Sequence, residues 1–425
     1  MRHLSMNQQR SKTAFTLVEV LVVIVILSIM GAMVTTAVSG VTTTAKQSRT
    51  KTIISIVDSV LAEHYANLKY RQLPIEIPDL FLPSGNANEV GYEVLASEAA
   101  RVRLMMIRDL QRMEIPDRLS DITTAPSQIY AATNQVLIDN SGNVVNTRDQ
   151  KNQRKVMSVS WYSPNATFLN GGDNIPSRLA AYRNRMPANL TLNSPEALAN
   201  QGAECLYLIM ATSYVGGSPA LEAIPAANIG DTDNDGLREI LDGWGNPLGF
   251  IRWPVGYFDP ELSIDKTIPD DFDLFRSDYA YTMVPGSTSS SAGAYDVLSN
   301  RNYFDDAPIK PWSMRPLVFS AGPDGEYGIT TDPITAAGVS MANYNYQASN
   351  WWWPTTVDFY GEELPSRTGN PTSPFPDPYL RVFVSSNLNN GLFAGRLPGQ
   401  PLPTTTAVNE LTDNINNYQL QVSPR

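Results

Sequence analysis

The chain has 425 residues, of which 42% are hydrophobic and 17% are charged, a composition that argues against a disordered chain and allows two or three packed domains. Its formal net charge of −11 argues against a general nucleic-acid-binding surface. Its single cysteine, Cys205, excludes an intrachain disulfide. We therefore expect a folded, acidic protein without covalent cross-links.

A long apolar run follows a short basic segment at the N-terminus. Residues 1–14 contain the basic side chains Arg2, Arg10 and Lys12, and the apolar run extends over residues 15–38. A helix of that length, at about 1.5 Å per residue, crosses the roughly 30 Å hydrocarbon core of a bilayer. The positive-inside tendency then predicts a single-pass helix with a cytoplasmic N-terminus and the remaining chain outside.

One charge, Glu19, interrupts this apolar run. A carboxylate facing hydrocarbon costs about 2.5 kcal/mol or more and is normally kept only where a partner exists. An ordinary anchor or an uncleaved signal is the alternative interpretation. A secretory signal needs a small-residue cleavage site after the run, and the Gly31-Ala32-Met33 stretch is a poor one.

The stretch TAFTLVE at residues 13–19 resembles the processing site of type IV prepilins and type II secretion pseudopilins. In those families a prepilin peptidase removes the leader just before Phe, the new amino terminus is methylated, and the fifth mature residue is Glu. The resemblance implies cleavage between Ala14 and Phe15, methylation of Phe15, and pairing of Glu19 with the free amino group of a neighbouring subunit. Ala14 replaces the Gly that these families usually have before the cut.

A helical pattern continues beyond the apolar run and makes residues 39–72 the amphipathic second half of one long helix, which we expect to end near Tyr70. Pro74 and Pro78 follow it and cannot continue a helix. A long helix of this kind that carries a globular head is the pilin-like architecture. The residues at helical spacing that form its less polar face are Val41, Ala45, Ile53, Ile56, Val57, Val60, Leu61, His64 and Leu68.

Residues 73–230 are predicted to be a mostly helical insertion. The apolar spacing favours helices at 88–113 and about 195–214, and the polar stretch 139–155 is predicted to be a loop. Four arginines of the first of these helices are expected to lie on a solvated face and to pair with nearby acids. The arginines are Arg101, Arg103, Arg108 and Arg112, and the acids are Glu98, Asp109 and Glu114.

Residues 231–395 are predicted to be a β-rich head, followed by a Pro- and Asn-rich tail at 396–425. Strand-like stretches lie at 247–253, 315–322 and 379–385, separated by loops rich in Pro, Ser, Asn and Gly. The fold class is therefore α+β, with a long N-terminal helix, an antiparallel sheet and extra helices.

The acidic segment DTDNDGLREILD at residues 231–242 has the oxygen spacing of a calcium loop. It departs from an EF-hand in its last ligand, and Pro225 argues against an entering helix. A solvated Asx-rich turn is the alternative. The candidate ligands are Asp231, Asp233, Asp235, the carbonyl of Leu237, Glu239 and Asp242.

A second acidic segment, FSAGPDGEYGITTD at 319–332, resembles the calcium-binding loop of type II secretion protein G, the major pseudopilin. By matching positions, this resemblance implies Asp324 and Asp332 as ligands. The stretch DGWGNP at 242–247 resembles a turn of the same pseudopilins. We interpret that turn as structural, with an apolar anchor and turn-forming residues at Trp244, Gly245, Asn246 and Pro247.

Together these resemblances imply a G-like major pseudopilin in a periplasmic filament that drives protein export, with other pseudopilins, the inner-membrane secretion platform and prepilin peptidase as partners. A minor type IV pilin acting in adhesion or DNA uptake is the alternative, and a calcium-dependent binding module on a simple anchor is a third. The Trp351-Trp352-Trp353 run either stacks on a ligand or packs on the sheet. We expect no enzyme, because His3 and His64 offer no credible catalytic pair.

Overall fold

The structure is a computed structural model that describes residues 16–71, 73, 80–81, 90–94, 96–123, 130–138, 144–147, 155–158, 175–188, 190, 198, 200–254, 256–257, 268, 270–274, 313–331, 398–402 and 414–421. Several predicted features lie outside the described residues. They are Ala14, Phe15, Asp332, the strand-like stretch 379–385 and the Trp351 to Trp353 run.

The N-terminal helix, α1, extends over Leu17–Lys69 without interruption. Its 53 residues span roughly 80 Å at the usual helical rise. The predicted continuous helix is confirmed, and its C-cap is Tyr70, where the pattern placed the end. The described part of the head covers the later part of α1, through a stripe with helical spacing. The buried residues are Thr50, Ile53, Ile54, Val57, Val60, Leu61, His64 and Leu68.

The segment at 73–230 combines helices with a five-stranded antiparallel sheet that sequence analysis did not anticipate. Strand β3, Tyr130–Ile138, is central: β2 pairs with one of its edges, and β5 and β4 pair with the first and last parts of the opposite edge. The other strands are β1 Leu80–Phe81, β2 Val90–Val94, β4 Val144–Thr147 and β5 Lys155–Ser158.

Two boundaries in this segment differ from the predicted ones. The expected helix at 88–113 begins only at Ala96, because the preceding Val90–Val94 pairs with β3 as a strand. The expected loop at 139–155 contains β4, which also pairs with β3. Both strands are short and contain β-branched residues, so cross-strand pairing outweighed the local patterns used to predict them.

Four helices of the segment are α2 Ala96–Glu114, α3 Leu119–Thr123, α4 Ser177–Arg183 and α5 Gln201–Ala211. Helix α5 falls inside the helix predicted at 195–214. Helices α1, α2 and α5 contribute to one hydrophobic core, which also receives Val318 from the later sheet. Gly202 lets α5 approach the strand that contains Phe250, since a Cβ at this position would lie 2.8 Å from the Phe250 carbonyl oxygen.

The later part of the head contains β10 Gly249–Ile251, β11 Leu317–Ser320 and β12 Ile415–Asn416, which form an antiparallel three-stranded sheet. Two small hairpins precede it. They are β6 Tyr214–Val215 with β7 Ser218–Pro219, and β8 Ile229–Gly230 with β9 Glu239–Ile240; two 3-10 helices, Ala220–Ala223 and Ala226–Asn228, lie between the hairpins.

The described end of the C-terminal tail, residues 414–421, packs on the head. After β12 the chain forms α6, Asn417–Gln421. The Asn417 side chain is 1% exposed, donates a 2.6 Å hydrogen bond to Asp58 Oδ1 of α1, and accepts one of 3.0 Å from the Val318 backbone. The tail therefore ties the sheet to α1, in agreement with the α+β, pilin-like arrangement of a long helix followed by small antiparallel sheets and extra helices.

The expectation of a solvated arginine face on α2 is wrong for two of its arginines. Arg108 and Arg112 are each 1% exposed. Arg112 pairs with Asp109 at 2.9 Å as expected, but Arg108 pairs with Asp270 at 3.0 Å. The later head covers this face, so its acids replace water around Arg108. A buried charge needs such partners, because an unpaired one is strongly destabilising.

Candidate functional site

The first part of α1 is an apolar surface that the described head does not cover. Every residue from Thr16 to Arg49 is exposed, including Leu17 at 82% and Val34 at 60%. Its most apolar 18-residue window has a mean hydropathy of 2.8 and no buried residue. By length and composition this part of the helix is able to cross a membrane.

Glu19 lies in the first turn of this exposed surface and caps its own helix. Its Oε2 atom accepts hydrogen bonds from the Thr16 backbone N–H at 2.8 Å and from Thr16 Oγ1 at 2.9 Å. Thr16 Oγ1 in turn accepts from the Glu19 backbone N–H at 3.3 Å. These bonds form a capping box, which stabilises the start of the helix, and none of the described residues gives the carboxylate a cationic partner.

The turn at 242–247 is organised by the Asp242 carboxylate. Its Oδ1 atom accepts backbone hydrogen bonds from Trp244 and Gly245, each at 2.8 Å, and from Asn246 at 2.9 Å. Gly245 has φ +96°, a conformation that favours glycine. Asp242 is 1% exposed and forms this turn through its Oδ1 atom, while its role as a calcium ligand stays a prediction.

This turn is packed directly on α1 at the point where the exposed surface ends. The Gly243 N–H donates a 2.9 Å hydrogen bond to Thr50 Oγ1. A Cβ at Gly243 would lie 2.3 Å from the carbonyl oxygen of Lys46, so only glycine allows the turn to come so close to the helix.

The turn also contacts the second acidic segment. Asp242 Oδ2 accepts a 2.6 Å hydrogen bond from Ser320 Oγ, and Asn246 Nδ2 donates one of 2.8 Å to the Gly322 carbonyl. The two stretches that resemble pseudopilin motifs, although more than 70 residues apart along the chain, therefore meet as one hydrogen-bonded unit. Sequence analysis treated them as separate features.

The loop between β8 and β9 brings several carboxylates together. Side-chain oxygens of Asp231, Asp233 and Asp235 lie within 4.8 Å of one another. Asn234 and Gly236 adopt positive φ values of 60° and 98°, which lets the loop fold back over this short span. The three aspartates of the DTDND stretch therefore lie close together. The side chain of Leu237, which follows them, is buried in the core.

A second group combines Asp233 and Glu239 with Glu204 of α5, again with ligand atoms within 4.8 Å of one another. Glu204 was missed by sequence analysis, which treated its helix only as an apolar packing element. It is 0% exposed, and neither carboxylate oxygen receives a hydrogen bond from an N–H or hydroxyl donor. The available signal was a lone acid within a strongly apolar helix.

Burial and mutual repulsion perturb these acids. Burial, followed by the negative charges of Asp235 and Asp233, raises the pKa of Glu204 to about 9. Burial likewise raises the pKa of Glu239 to about 7, although hydrogen bonds from Thr232 oppose the shift. The pKa of Asp233 is raised by burial and by Asp235. The group therefore resists carrying its full negative charge.

Nearby protein donors form hydrogen bonds to some of the carboxylate oxygens of these acids. The Thr232 N–H donates to Glu239 Oε2 at 3.0 Å, and Asn200 Nδ2 donates to Asp233 Oδ2 at 3.0 Å. The remaining oxygens Asp233 Oδ1 and Asp235 Oδ2 are buried and receive no hydrogen bond. Among the described residues, no Lys or Arg forms an ion pair with these carboxylates.

The second acidic segment is open to solvent where the structure describes it. Asp324 is exposed, and its Oδ1 atom accepts a 3.0 Å hydrogen bond from the Glu326 backbone. Within the described part of the chain, Asp324 belongs to no group of three acids or histidines with ligand atoms within 4.8 Å. Its predicted partner ligand, Asp332, lies outside the described residues, so this site stays a prediction.

A family model described as the prokaryotic N-terminal methylation motif matches residues 9–35. The chain carries a type IV pilin-like prepilin processing site. The match includes Ala14, Phe15 and Glu19, and it ends within the exposed part of α1. Comparisons with curated proteins and with solved structures give no match.

The methylation motif gives the exposed helix a general role. It indicates a substrate of prepilin peptidase that assembles into a filament of the type IV pilin-like class. The exposed apolar surface indicates membrane anchoring before assembly. The match covers less than a tenth of the chain and none of the head, so the head is interpreted from its own geometry.

Proposed function

We propose that the chain is a pseudopilin subunit of a type II secretion system, anchored in the bacterial inner membrane with its N-terminus in the cytoplasm and its head in the periplasm. The observation that carries this proposal is a methylation motif at the start of an apolar helix surface that the head leaves uncovered. Apolar area of this size is stable in water only when a bilayer or neighbouring copies cover it.

Glu19 supplies the assembly contact in this proposal. In the single chain its carboxylate caps the helix through Thr16 and has no cationic partner among the described residues. Cleavage before Phe15 creates a positive amino group at the same depth of the membrane. Pairing of this group with Glu19 of a neighbouring subunit neutralises both charges in an apolar surrounding, where each alone is costly.

The assignment to type II secretion rests on the head. The turn at 242–247 and the stretch beginning at Ser320 resemble two pseudopilin motifs, and here they contact each other through Asp242 and Asn246. The turn also contacts α1 through Gly243. Such a unit places the sheet on the helix in a constant orientation, as a repeating filament subunit requires. Other pseudopilins and the inner-membrane platform are the expected partners.

The proposal assigns the head a structural role and no catalysis. Of the two histidines in the chain, His3 lies in the leader. His64 is buried, and its Nε2 atom lies 2.7 Å from Arg178 Nη1 and 3.0 Å from Ser213 Oγ. Burial, aided by the charge of Arg178, lowers the pKa of His64, so this imidazole has a packing role and not that of a solvent-accessible base.

A minor type IV pilin is the second candidate, and the five-stranded sheet within residues 73–230 favours it. This sheet adds surface to the head beyond the unit that docks on α1. A tip subunit that binds a surface or DNA needs such additional surface, whereas a shaft subunit does not.

Processing is tested by the intact mass of the protein purified from its native membrane. We expect a chain that begins at methylated Phe15. Ala14→Leu should abolish the cut because the residue before the cleavage site must be small, whereas Ala14→Gly should retain it. An intact leader on the native protein would contradict both candidate functions.

The assembly role is tested with Glu19→Gln and Glu19→Ala. Gln retains the capping hydrogen bond to the Thr16 N–H but carries no charge, whereas Ala removes both. We expect both variants to be processed and folded, and both to lose filament incorporation at least ten-fold in cross-linking of membranes. Normal incorporation of Glu19→Gln would show that capping, and not charge pairing, is what assembly needs.

The two filament classes are separated by deletion of the gene and complementation. Loss of exported proteins from the medium with intact surface pili supports the pseudopilin. Loss of adhesion or DNA uptake with normal export supports the minor pilin.

A further inference from the structure

Glu204 is a buried carboxyl group without a hydrogen-bond donor in the acidic groups between α5 and the β8–β9 loop. It is 0% exposed, and both of its carboxylate oxygens are buried without a hydrogen-bond donor. Its ligand atom lies within 4.8 Å of those of Asp233 and Glu239. A buried carboxylate without a partner is strongly unfavourable, so its position between two further acids calls for a cation.

Other atoms of the cluster point to the same ligand. Asp233 Oδ1 and Asp235 Oδ2 are also buried without a donor, whereas the protein donors Asn200 and Thr232 contact different oxygens of the group. Protein donors thus satisfy both oxygens of Glu239 and one oxygen each of Asp233 and Asp235. The other oxygen of these two aspartates and both oxygens of Glu204 are left for something else. This division of roles is what an ion between the carboxylates produces.

We propose that Glu204, Asp233 and Glu239 bind one divalent cation, with Asp231 and Asp235 at its solvent side, and that the ion is Ca²⁺. Two oxygens that each lie about 2.4 Å from a shared Ca²⁺ are at most about 4.8 Å apart. The ligand atoms of both acidic groups satisfy this limit, and Asp233 belongs to both.

The chemistry of the ligands selects the ion. All five side chains offer carboxylate oxygens, which suit hard cations, whereas zinc prefers nitrogen and sulfur. Three of the carboxylates come from a loop with two positive-φ residues, Asn234 and Gly236, and such irregular geometry fits the variable coordination of Ca²⁺ better than the strict octahedron of Mg²⁺.

The proposed ion joins two elements that are distant in sequence. Glu204 belongs to α5, whereas Asp233 and Glu239 flank the β8–β9 turn. Glu239 begins the strand that leads directly into the turn on α1. Bound Ca²⁺ therefore holds the α5 side of the core against the unit that docks on the long helix. This inference is independent of the filament class and of filament assembly.

The test measures Ca²⁺ binding and thermal unfolding of the full chain in detergent micelles, in EGTA, CaCl₂ or MgCl₂. We expect Ca²⁺ to bind by calorimetry and to raise the melting temperature, and Mg²⁺ to do so much less. Glu204→Gln should weaken Ca²⁺ binding at least ten-fold. In EGTA the same variant should melt no lower than the wild type, because the amide is neutral at every pH and burial disfavours the ionised form of the carboxyl group that it replaces.

Matched variants locate the ion. Glu222→Gln changes an exposed acid near the same region and should bind Ca²⁺ like the wild type. Asp324→Asn changes the other acidic segment and should likewise leave this binding unchanged. Asp233→Asn should lose Ca²⁺ binding. Because the Asp233 side chain is only partly buried, this variant tests the site even if Glu204→Gln fails to fold.

Two results would overturn the inference. One is a wild-type protein that binds no Ca²⁺ and shows the same melting temperature in EGTA and CaCl₂. The other is loss of binding in Asp324→Asn with full binding in Glu204→Gln or Asp233→Asn, which would place the ion in the second acidic segment.

Discussion

The two parts of α1 are one continuous helix in opposite surroundings. From Thr16 to Arg49 every residue is exposed, whereas from Thr50 to Leu68 an entire stripe is buried. Both parts are rich in apolar residues, so hydrophobicity alone does not decide which part the head covers. The boundary coincides with the Gly243 turn, which contacts Lys46 and Thr50.

The difference shows where each part obtains its stability. The covered part is stabilised within the chain by the core that it shares with α2, α5 and the later sheet. The exposed part has the hydropathy of a membrane span and a capping box at Glu19, so its folded state depends on helix propensity and on a bilayer or neighbouring subunits. Substitutions in the covered part should therefore change the stability of the head, whereas substitutions in the exposed part should change membrane or subunit contacts.

The largest contrast is expected between truncations of apolar side chains. Leu61 is 1% exposed and belongs to the core, so Leu61→Ala should reduce the free energy of unfolding by about 2–5 kcal/mol through lost burial and a cavity. Val34 is 60% exposed, and Val34→Ala should change it by at most about 0.5 kcal/mol. Chemical denaturation in micelles, followed by near-UV circular dichroism, measures both.

Equal destabilisation by the two substitutions would break the comparison, because it would mean that the head also packs on the first part of the helix. In the filament, Val34→Ala should weaken the association between subunits more than it destabilises the head.

The boundary between the two parts is tested at a glycine pair. Gly243→Ala would place a Cβ 2.3 Å from the Lys46 carbonyl oxygen, and we expect a loss of about 1–3 kcal/mol as the turn moves away from the helix. Gly40 has open space around its Cβ position, and Gly40→Ala should be neutral or should stabilise the helix by up to about 1 kcal/mol.

Hydrogen exchange of the amides near residue 50 measures the docking itself. Faster exchange there in Gly243→Ala, with unchanged exchange in Gly40→Ala, is the expected pattern. Unchanged exchange in both variants would show that the turn does not hold the head on the helix.

A third contrast is the pH dependence that His64 contributes to the stability of the covered part. Burial, aided by Arg178, lowers the pKa of His64 from its ordinary value of 6.5 to about 3. The unfolded chain therefore takes up this proton at higher pH than the folded chain does. The contribution to stability is present above pH 6.5 and is lost as the pH falls towards 3.

Comparison of the wild type with His64→Asn isolates this effect from the other acid-sensitive groups. Between pH 6.5 and 4 the wild type should lose up to about 1.4 kcal/mol per pH unit more than the variant. Parallel pH profiles would indicate that His64 is hydrated in solution and that this region of α1 is covered less tightly than the structure shows.

The acidic features show how far prediction from sequence reached. The spacing of Asp231, Asp233 and Asp235 indicated a shared ligand, and their side chains do converge. Glu204 was not predicted because it comes from a different helix, whose apolar pattern was complete without it. Asp242 was assigned by its position both to this loop and to the following turn, and three backbone N–H groups of the turn donate to its carboxylate.

The arginines of α2 illustrate the same limit. Their spacing on a helix is a local property, and the Arg112–Asp109 pair follows from it directly. Whether that face meets water or the core depends on Asp270, more than 150 residues away along the chain, which pairs with Arg108. The sheet built on β3 is another such case, because strands as short as β4 are stable only when a partner strand pairs with them.

Local patterns were sufficient to predict the length of α1, the processing motif at its start, the α+β class and the convergence of the three loop aspartates, since these depend on periodicity and on neighbours close in the chain. The fold was needed to see where coverage of α1 begins, which arginines are buried and that Glu204 faces the acidic loop. These depend on approaches between distant segments, which local patterns do not encode.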